Sequence, residues 1–428
     1  MRAGHERSGD ELREATCPAC GHHVAVSFFD GGSQPLATLG WPDSREAACD
    51  MDRLRLDFVR CVDCGHVFNA AFDYAAVPYS EKPNLMFNRS AAWSDYLRSL
   101  RQEIVTRLPE RPVVVEIGYG DGLFLHALAE ARPAGRYIGF DPHGAADPKA
   151  GPVELRRALF VPGRHVAECR PDLIVSRHVL EHLSNPLGFV QGLSFAAAWA
   201  GIEPELYLEV PCIDRALATG RTVDFYYEHN SHFTTESFTR MLSRCEVVVE
   251  RVGYGYNEEV IHGFVRLGKG RAQVEQARAS RAFGDRAAAC AVTIRRQLAE
   301  LYASGRSVAV WGGTGKSAAF MNQAAMDARR FPFVVDSDPD KVGGFVPGTG
   351  QQIRSRDWLV TRPVDVVIIP PQWRAGDIVR EMARCGIRPR TVLIEFDGRL
   401  VDYFSGPHPY RTDGEPAPCA LQAVPADG

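Results

Sequence analysis

Residues Val113 to Asp141 read VVVEIGYGDGLFLHALAEARPAGRYIGFD, and this stretch admits few folds. An apolar run ends in Glu116. A turn carrying Gly118, Gly120 and Gly122 follows, then a helical pattern, a second apolar run and Asp141. That is strand, turn, helix, strand, the opening unit of a parallel α/β sheet. Glycines at the first turn let a ligand approach the backbone closely. The helix behind them offers unpaired N–H groups and the positive end of its dipole. An acid closing the next strand, about 20 residues on, suits the two hydroxyls of a ribose.

NAD and S-adenosylmethionine (SAM) both present such an adenosine. The spacing E-x-G-x-G-x-G departs from the G-x-G-x-x-G of dehydrogenases. With an acid at the end of the first strand, it resembles class I SAM-dependent methyltransferases. On that reading Glu116 positions the methionine end, Gly118, Gly120 and Gly122 form the floor, and Asp141 takes the ribose. A nucleotide fold serving some other ligand is the plainer alternative.

The chain has 428 residues, enough for two or three domains, and a net charge of only −4. That balance argues against strong attraction to nucleic acid or an anionic membrane. No apolar run has the length of a membrane span. The start, MRAGHERSGDELREA, is polar and has no apolar signal region. A cytoplasmic protein is expected, one whose eleven cysteines stay reduced unless they hold metal.

Cys17-Pro-Ala-Cys20-Gly and Cys61-Val-Asp-Cys64-Gly are two matched knuckles. Each C-x-x-C turn aims two thiolates at one ion, and two knuckles give the four soft ligands of tetrahedral zinc. A disulfide disagrees with the compartment, and a redox C-x-x-C would not occur twice. His22, His23 and His66 lie beside the knuckles as substitute ligands, but four cysteines suffice. Cys49 is left over and is expected to be buried filler. A four-cysteine site is structural and has no open position for chemistry.

The pattern divides the chain into a zinc module over 1–75, a connector over 76–110 that turns helical near Arg89, and a nucleotide-binding domain over 111–270. A linker helix over 271–305 and a second Rossmann-like domain over 306–405 follow. The tail over 406–428, rich in Pro, Gly and Asp, is expected to be disordered. In the nucleotide-binding domain, PDLIVS and ELYLEV read as strands. In the last domain VAVWGGTGKS repeats the strand–turn–helix theme, FPFVVD closes on Asp336, and VDVVII and RTVLIEF add strands. GGTGKS is not a Walker A motif, because its first glycine would stand at Val310. A phosphate at this helix start, beside Gly313, Thr314 and Lys316, is still physically sensible. The plainer alternative is a solvated lysine near a turn.

Two segments are dense in groups that move protons. Arg177-His178-Val-Leu-Glu181-His182 follows a strand, and Tyr226-Tyr227-Glu228-His229-Asn-Ser-His232 follows a loop. His178 and His182 stand four apart on a helix, so that one faces the core while the other faces the cofactor, with Arg177 and His178 taken as cofactor-side. His232 is a substrate-side candidate or a cap for the helix starting at TTESF.

Taken in order, the double knuckle, the glycine turn, H-V-L-E-H, Y-x-E-H and a terminal unit opening W-G-G-T-G-K resemble the three-domain sugar C-methyltransferases of deoxysugar biosynthesis. The resemblance runs from about residue 17 to 405. It implies an α/β protein with SAM as cofactor and structural zinc. It also implies a nucleotide-linked 4-keto-6-deoxysugar as acceptor, commonly methylated at C3. By that resemblance His229 is the base, and Glu228 orients it or binds the sugar. Tyr226 and His182 sit against the enolate, and a connector tyrosine, Tyr79, completes the site, with Phe87 the rival for that place. Two stretches depart from the family pattern, Asn230-Ser231-His232 and the connector PNLMFNRS, and both bear on the acceptor. The competing readings are a SAM-dependent O- or N-methyltransferase for another small molecule, a zinc-ribbon RNA methyltransferase, and a binding protein without catalysis. The charge balance speaks against RNA, and the Y-x-E-H cluster against a mere binder. A small-molecule substrate and no membrane partner are expected, with oligomeric state open.

Overall fold

A computed structural model describes residues 12–39, 41–77, 88, 90–144 and 153–411. Tyr79 and Phe87 lie outside the described residues. The chain divides into two compact units, Met1–Gln276 and Ala277–Gly428.

The first unit opens with β1 (Leu12–Glu14), β2 (Val24–Gln34), the short α1 (Arg45–Cys49), β3 (Leu54–Cys61) and β4 (Val67–Asn69). The strands pair antiparallel in chain order. Cys49, expected inside, is exposed at the end of α1, which buries no residue. The helix α2 (Ala91–Arg107) then starts where Ser90 accepts a hydrogen bond from the Trp93 N–H.

The nucleotide-binding part follows. It comprises β5 (Val113–Ile117), α3 (Leu123–Ala131), β6 (Arg136–Phe140), β7 (Glu154–Arg156), α4 (Pro162–Cys169), β8 (Leu173–Arg177), α5 (Pro186–Ala200), β9 (Glu205–Pro211), α6 (Asp214–Thr219), β10 (Ser231–His232), α7 (Thr235–Leu242), β11 (Val248–Gly255) and β12 (Val260–Arg266). Seven of these strands form one sheet in the order β11-β12-β9-β8-β5-β6-β7. The run from β9 to β7 is parallel, and β11 and β12 are antiparallel. The chain goes from β5 outward to β7 and then crosses to β8. The carboxyl ends beside β5 are therefore a switch point, where such sheets bind ligands.

Strand side chains alternate between faces. Val115 and Ile117 enter a core with Ile138, Phe140, Val190 and Phe238. Val114 enters the opposite core with Tyr137, Val175, Tyr207 and residues of α2 and α3. Glu116, Arg177 and Glu209 share the parity of Val114, Val175 and Tyr207, so all three project from the α2/α3 face at the ligand end of the sheet.

The tenth strand leaves this sheet. β10 pairs antiparallel with β4, Ser231 opposite Phe68 and His232 opposite Val67. The cysteine knuckles share a core with Phe233, Phe238 and Met241. The cysteine-knuckle module and the nucleotide-binding domain thus form one folded body, not two beads.

In the second unit, α8 (Arg271–Ala303) leads in from residues of the first unit. It is followed by β13 (Val308–Trp311), α9 (Lys316–Gln323), β14 (Phe333–Asp336), β15 (Ile353–Ser355), α10 (Trp358–Thr361), β16 (Val366–Ile369), α11 (Ala375–Arg384), β17 (Thr391–Phe396) and β18 (Arg399–Asp402). The sheet order is β15-β14-β13-β16-β17-β18, parallel except for β18. The tail joins this fold further than its composition suggests. The Tyr403 hydroxyl donates to the Tyr410 carbonyl at 3.1 Å, and Arg411 donates to the carbonyls of Phe404 and Gly406. An aromatic and an arginine supply what Pro and Gly lack. Residues 412–428 lie outside the described residues.

Candidate active site

The glycine turn is built at the end of β5. Gly118 has φ +78° and donates its N–H to the Phe140 carbonyl at 2.8 Å. A Cβ there would meet Val179 Cγ2 at 2.4 Å. The Gly120 N–H binds Asp141 Oδ2 at 3.0 Å, and Oδ1 accepts from the His143 N–H at 2.8 Å. Gly122 ends the turn and precedes α3 in the left-handed conformation. Asp141 therefore closes the turn as well as standing where a ribose is expected.

Beneath the turn, Glu116 is buried and its Oε2 has no hydrogen-bond partner. Burial lifts its carboxyl to about 8; the charge of Arg177 opposes the shift, and Asp121 and Asp141 add to it. Arg177 itself pairs with Glu209 at 3.0 Å. Glu209 is fully buried and also accepts from the hydroxyls of Tyr96 and Tyr207. Burial would lift its carboxyl, but Arg177, His178 and Tyr96 outweigh that and hold it well below the usual carboxylate range.

His178 does not continue a helix toward His182. It adopts φ +53°, its N–H bonds the Glu209 carbonyl, and only Leu180–His182 forms a single 3-10 turn. The Asn185 cap and Pro186 then start α5 on a new axis. The ring nitrogens of His178 lie 3.1 Å from Glu209 and 3.4 Å from Glu181. Burial presses His178 toward neutrality, but these two acids prevail and raise its pKa.

The proton-handling groups meet nearby. Tyr226 Oη and His229 Nε2 share a hydrogen bond of 2.7 Å. The His182 ring lies 4.8 Å from that of His229, edge to face, and its Nδ1 bonds the Glu228 carbonyl at 2.8 Å. Glu181 contributes a carboxylate oxygen within 4.8 Å of ring nitrogens of both histidines. Burial, with His182, His232 and His178 adding to it, holds His229 well below the ordinary histidine range. His229 is therefore neutral at neutral pH, with a lone pair to give.

Glu228 points away from this pocket. Its Oε1 accepts from the Thr38 N–H at 2.7 Å, the Thr38 hydroxyl at 3.1 Å and the Leu39 N–H at 3.1 Å. It holds the loop after β2 against the active segment. His232 is buried against Phe58 and Phe225. It does not cap α7, because Thr234 and Ser237 cap that helix reciprocally.

The sulfur atoms of Cys17, Cys20, Cys61 and Cys64 lie within 4.8 Å of one another, with Cys17–Cys64 at 3.6 Å and Cys20–Cys61 at 3.5 Å. Ligands at the usual zinc–sulfur distance of about 2.3 Å would stand about 3.8 Å apart in a tetrahedron. Four converging thiols of this spacing fit zinc, and the neighbouring histidines are not needed. His66 is instead buried between Phe68 and Phe233.

Comparison with known proteins adds to this geometry. Residues 88–249 match the model of a methyltransferase domain, and residues 265–389 match a C-methyltransferase C-terminal domain. The C-methyltransferase NovU of Streptomyces niveus is 24% identical over 372 residues, 78% of this chain and 84% of that protein. The chain combines these two domains and is a SAM-dependent C-methyltransferase. Among solved structures it is similar to a SAM-dependent methyltransferase from Aquifex aeolicus, with 13% identity, TM-score 0.31 and coverage of 42% of this chain and 100% of that one. It is also similar to the plantazolicin methyltransferase BpumL in complex with SAH, with 14% identity, TM-score 0.32 and coverage of 42% and 86%.

Within this C-methyltransferase the predicted residues fall into three groups. Glu116, the three glycines, Asp141, Arg177 and His178 gather at the switch point. Tyr226, His229 and His182 form the adjoining pocket, with Glu228 and His232 behind it. Gly313, Thr314 and Lys316 belong to the other unit. There the Gly313 N–H binds Asp336 Oδ2 at 3.0 Å, as Gly120 binds Asp141, and the Lys316 ammonium rests 3.8 Å from the Trp373 ring centre. Sequence reasoning missed Glu209 and Tyr96. Glu209 had a signal: in E-L-Y-L-E-V it shares the strand parity of Tyr207 and closes the strand beside Arg177. Tyr96 had none, since a tyrosine on an amphipathic helix reads as core.

Proposed function

We propose that this enzyme transfers the SAM methyl group to carbon in a nucleotide-linked 4-keto-6-deoxysugar, through an enolate generated by His229. The observation that carries the reading is the half-buried, neutral His229 hydrogen-bonded to Tyr226 beside His182. A carbon is nucleophilic only once a neighbouring ketone has made its proton acidic and a base has taken it. Oxygen and nitrogen acceptors need much less of this. The order of motifs shared with sugar C-methyltransferases supports a sugar, and so does a second Rossmann-like unit whose glycine turn suits a nucleotide or its phosphates.

In this mechanism His229 takes the proton from the carbon next to the ketone. The imidazolium so formed is met by Glu181, whose carboxylate stands close by. Tyr226 donates its hydroxyl hydrogen to the developing enolate oxygen, and His182, fixed by the Glu228 carbonyl, lines the same wall. SAM, held by Glu116, the glycine turn and Asp141, supplies an electrophilic methyl group when bound. Glu228 keeps the segment in register from behind. Tyr79, from the connector, is proposed to complete the sugar side; Gly313, Thr314 and Lys316 are proposed, on their own unit, to bind a phosphorylated group.

The test uses SAM carrying carbon-13 in its methyl group and a panel of nucleotide 4-keto-6-deoxysugars. A new high-field carbon NMR signal for methyl on carbon is expected. A methoxy or N-methyl signal would overturn the enolate mechanism, and no product from any keto-sugar would overturn the acceptor.

A further inference from the structure

Charged side chains on α2 and at the end of β8 are compensated, with one exception. Arg98 pairs with Asp95 at 2.8 Å, Arg107 with Glu205 and Glu250, and Arg177 with Glu209. Arg101 is half-buried and has no carboxylate partner among the described residues. Its guanidinium carbon lies 6.0 Å from the centre of the Phe124 ring, and Arg177 lies 4.5 Å from the same ring. Phe124 is the second residue of α3, directly behind the glycine turn. Two guanidinium groups therefore meet at the first turn of α3. Partial burial, with the charges of Arg177 and Arg98, lowers the pKa of Arg101. A half-buried cation held beside another is costly unless an anion joins them.

On the sheet face that α2 and α3 cover stands the complementary defect. Glu116 is buried with an unpaired oxygen, inside the field of Arg177. An unpaired cation and an unpaired acid on one side of a glycine turn match a zwitterion. We propose that Arg101 receives the α-carboxylate of SAM, while Glu116 receives its α-ammonium. The assignment rests on the SAM reading and goes beyond it by giving each charge of the methionyl group its own residue. A planar guanidinium can meet a carboxylate with two parallel hydrogen bonds, which a lysine cannot.

The experiment measures binding by calorimetry of two probes, S-adenosylhomocysteine and 5′-methylthioadenosine. The second keeps the adenosine and sulfur but has no amino acid. Arg101→Met is expected to weaken S-adenosylhomocysteine about 10- to 100-fold and to leave methylthioadenosine unchanged. Arg101→Lys should recover part of the loss, and Arg98→Met should bind both probes like the parent. Unchanged S-adenosylhomocysteine affinity in Arg101→Met would overturn the proposal, as would an equal loss for both probes. If the parent enzyme binds neither probe, the SAM reading itself falls, and this inference falls with it.

Discussion

In the proposed mechanism His229 serves as the base because of where it is kept. Burial and three neighbouring histidines disfavour its charged form, so protonation does not silence it in the usual range. The acid limb of kcat/KM is therefore expected below the ordinary histidine range, where an exposed histidine would already be charged. His229→Ala should lower methyl transfer by about 10²- to 10⁴-fold with S-adenosylhomocysteine binding intact. Equal loss of both would mean that the residue holds the fold instead. His232 gives a second, independent signature. Burial pushes its pKa down to about 3, against an ordinary 6.5. Above 6.5 neither folded nor unfolded chain binds that proton. Between 6.5 and 3 only the unfolded chain does, so stability falls as the pH drops and levels off below 3. The slope is about 1.4 kcal/mol per pH unit for this one group. Urea unfolding of His232→Leu should lose that share of the slope, while His66 and His229 keep their own. None of this was legible from residue type. A histidine after Y-x-E announces proton chemistry, but the distinction between His229 at the pocket and His232 behind it comes from strand pairing that the local sequence does not encode.

At the level of elements, the glycine turn is the part the sequence expressed most fully. Strand, turn, helix and closing acid stand where periodicity put them, because each is specified by neighbours close in the chain. Gly118→Ala is expected to remove measurable SAH binding. The new methyl group would press on Val179 and would also demand a left-handed backbone, a conformation costing about 1–2 kcal/mol. Binding retained by that variant would mean that the turn is not the cofactor floor. The helix read into His178–His182 failed for an equally local reason. Asn185 and Pro186 begin a new helix so soon that only one tight turn fits before it. The acidic partner of Arg177 was harder to find. Glu209 comes 32 residues later, and only the parity of β9 beside β8 joins them.

On the scale of the molecule, the cysteine knuckles are far from the chemistry in sequence and one strand away in space. The convergence of the four cysteines was legible in their spacing, whereas their attachment to the segment around β10 was not. Asp63, inside the second knuckle, is held by Arg244 at 2.6 Å, and the loop at Thr38 and Leu39 is held by Glu228. The parent protein is expected to carry one zinc per chain. Stripping it with a strong chelator should reduce methyl transfer more than it reduces SAH binding, since the glycine turn does not lean on β4. Atomic emission together with the two assays checks this. Parallel loss of both would place the metal's influence on the whole unit.

The short ladder between β4 and β10 carries a lesson for anyone who would rebuild this enzyme. A designer who excised the methyltransferase fold at its apparent borders would keep the donor pocket and orphan the segment around His229, because the strand that steadies it is encoded some 160 residues upstream. Acceptor preference therefore cannot be transplanted as a cassette. Any productive chimera has to inherit the knuckles and the segment that rests on them from the same parent.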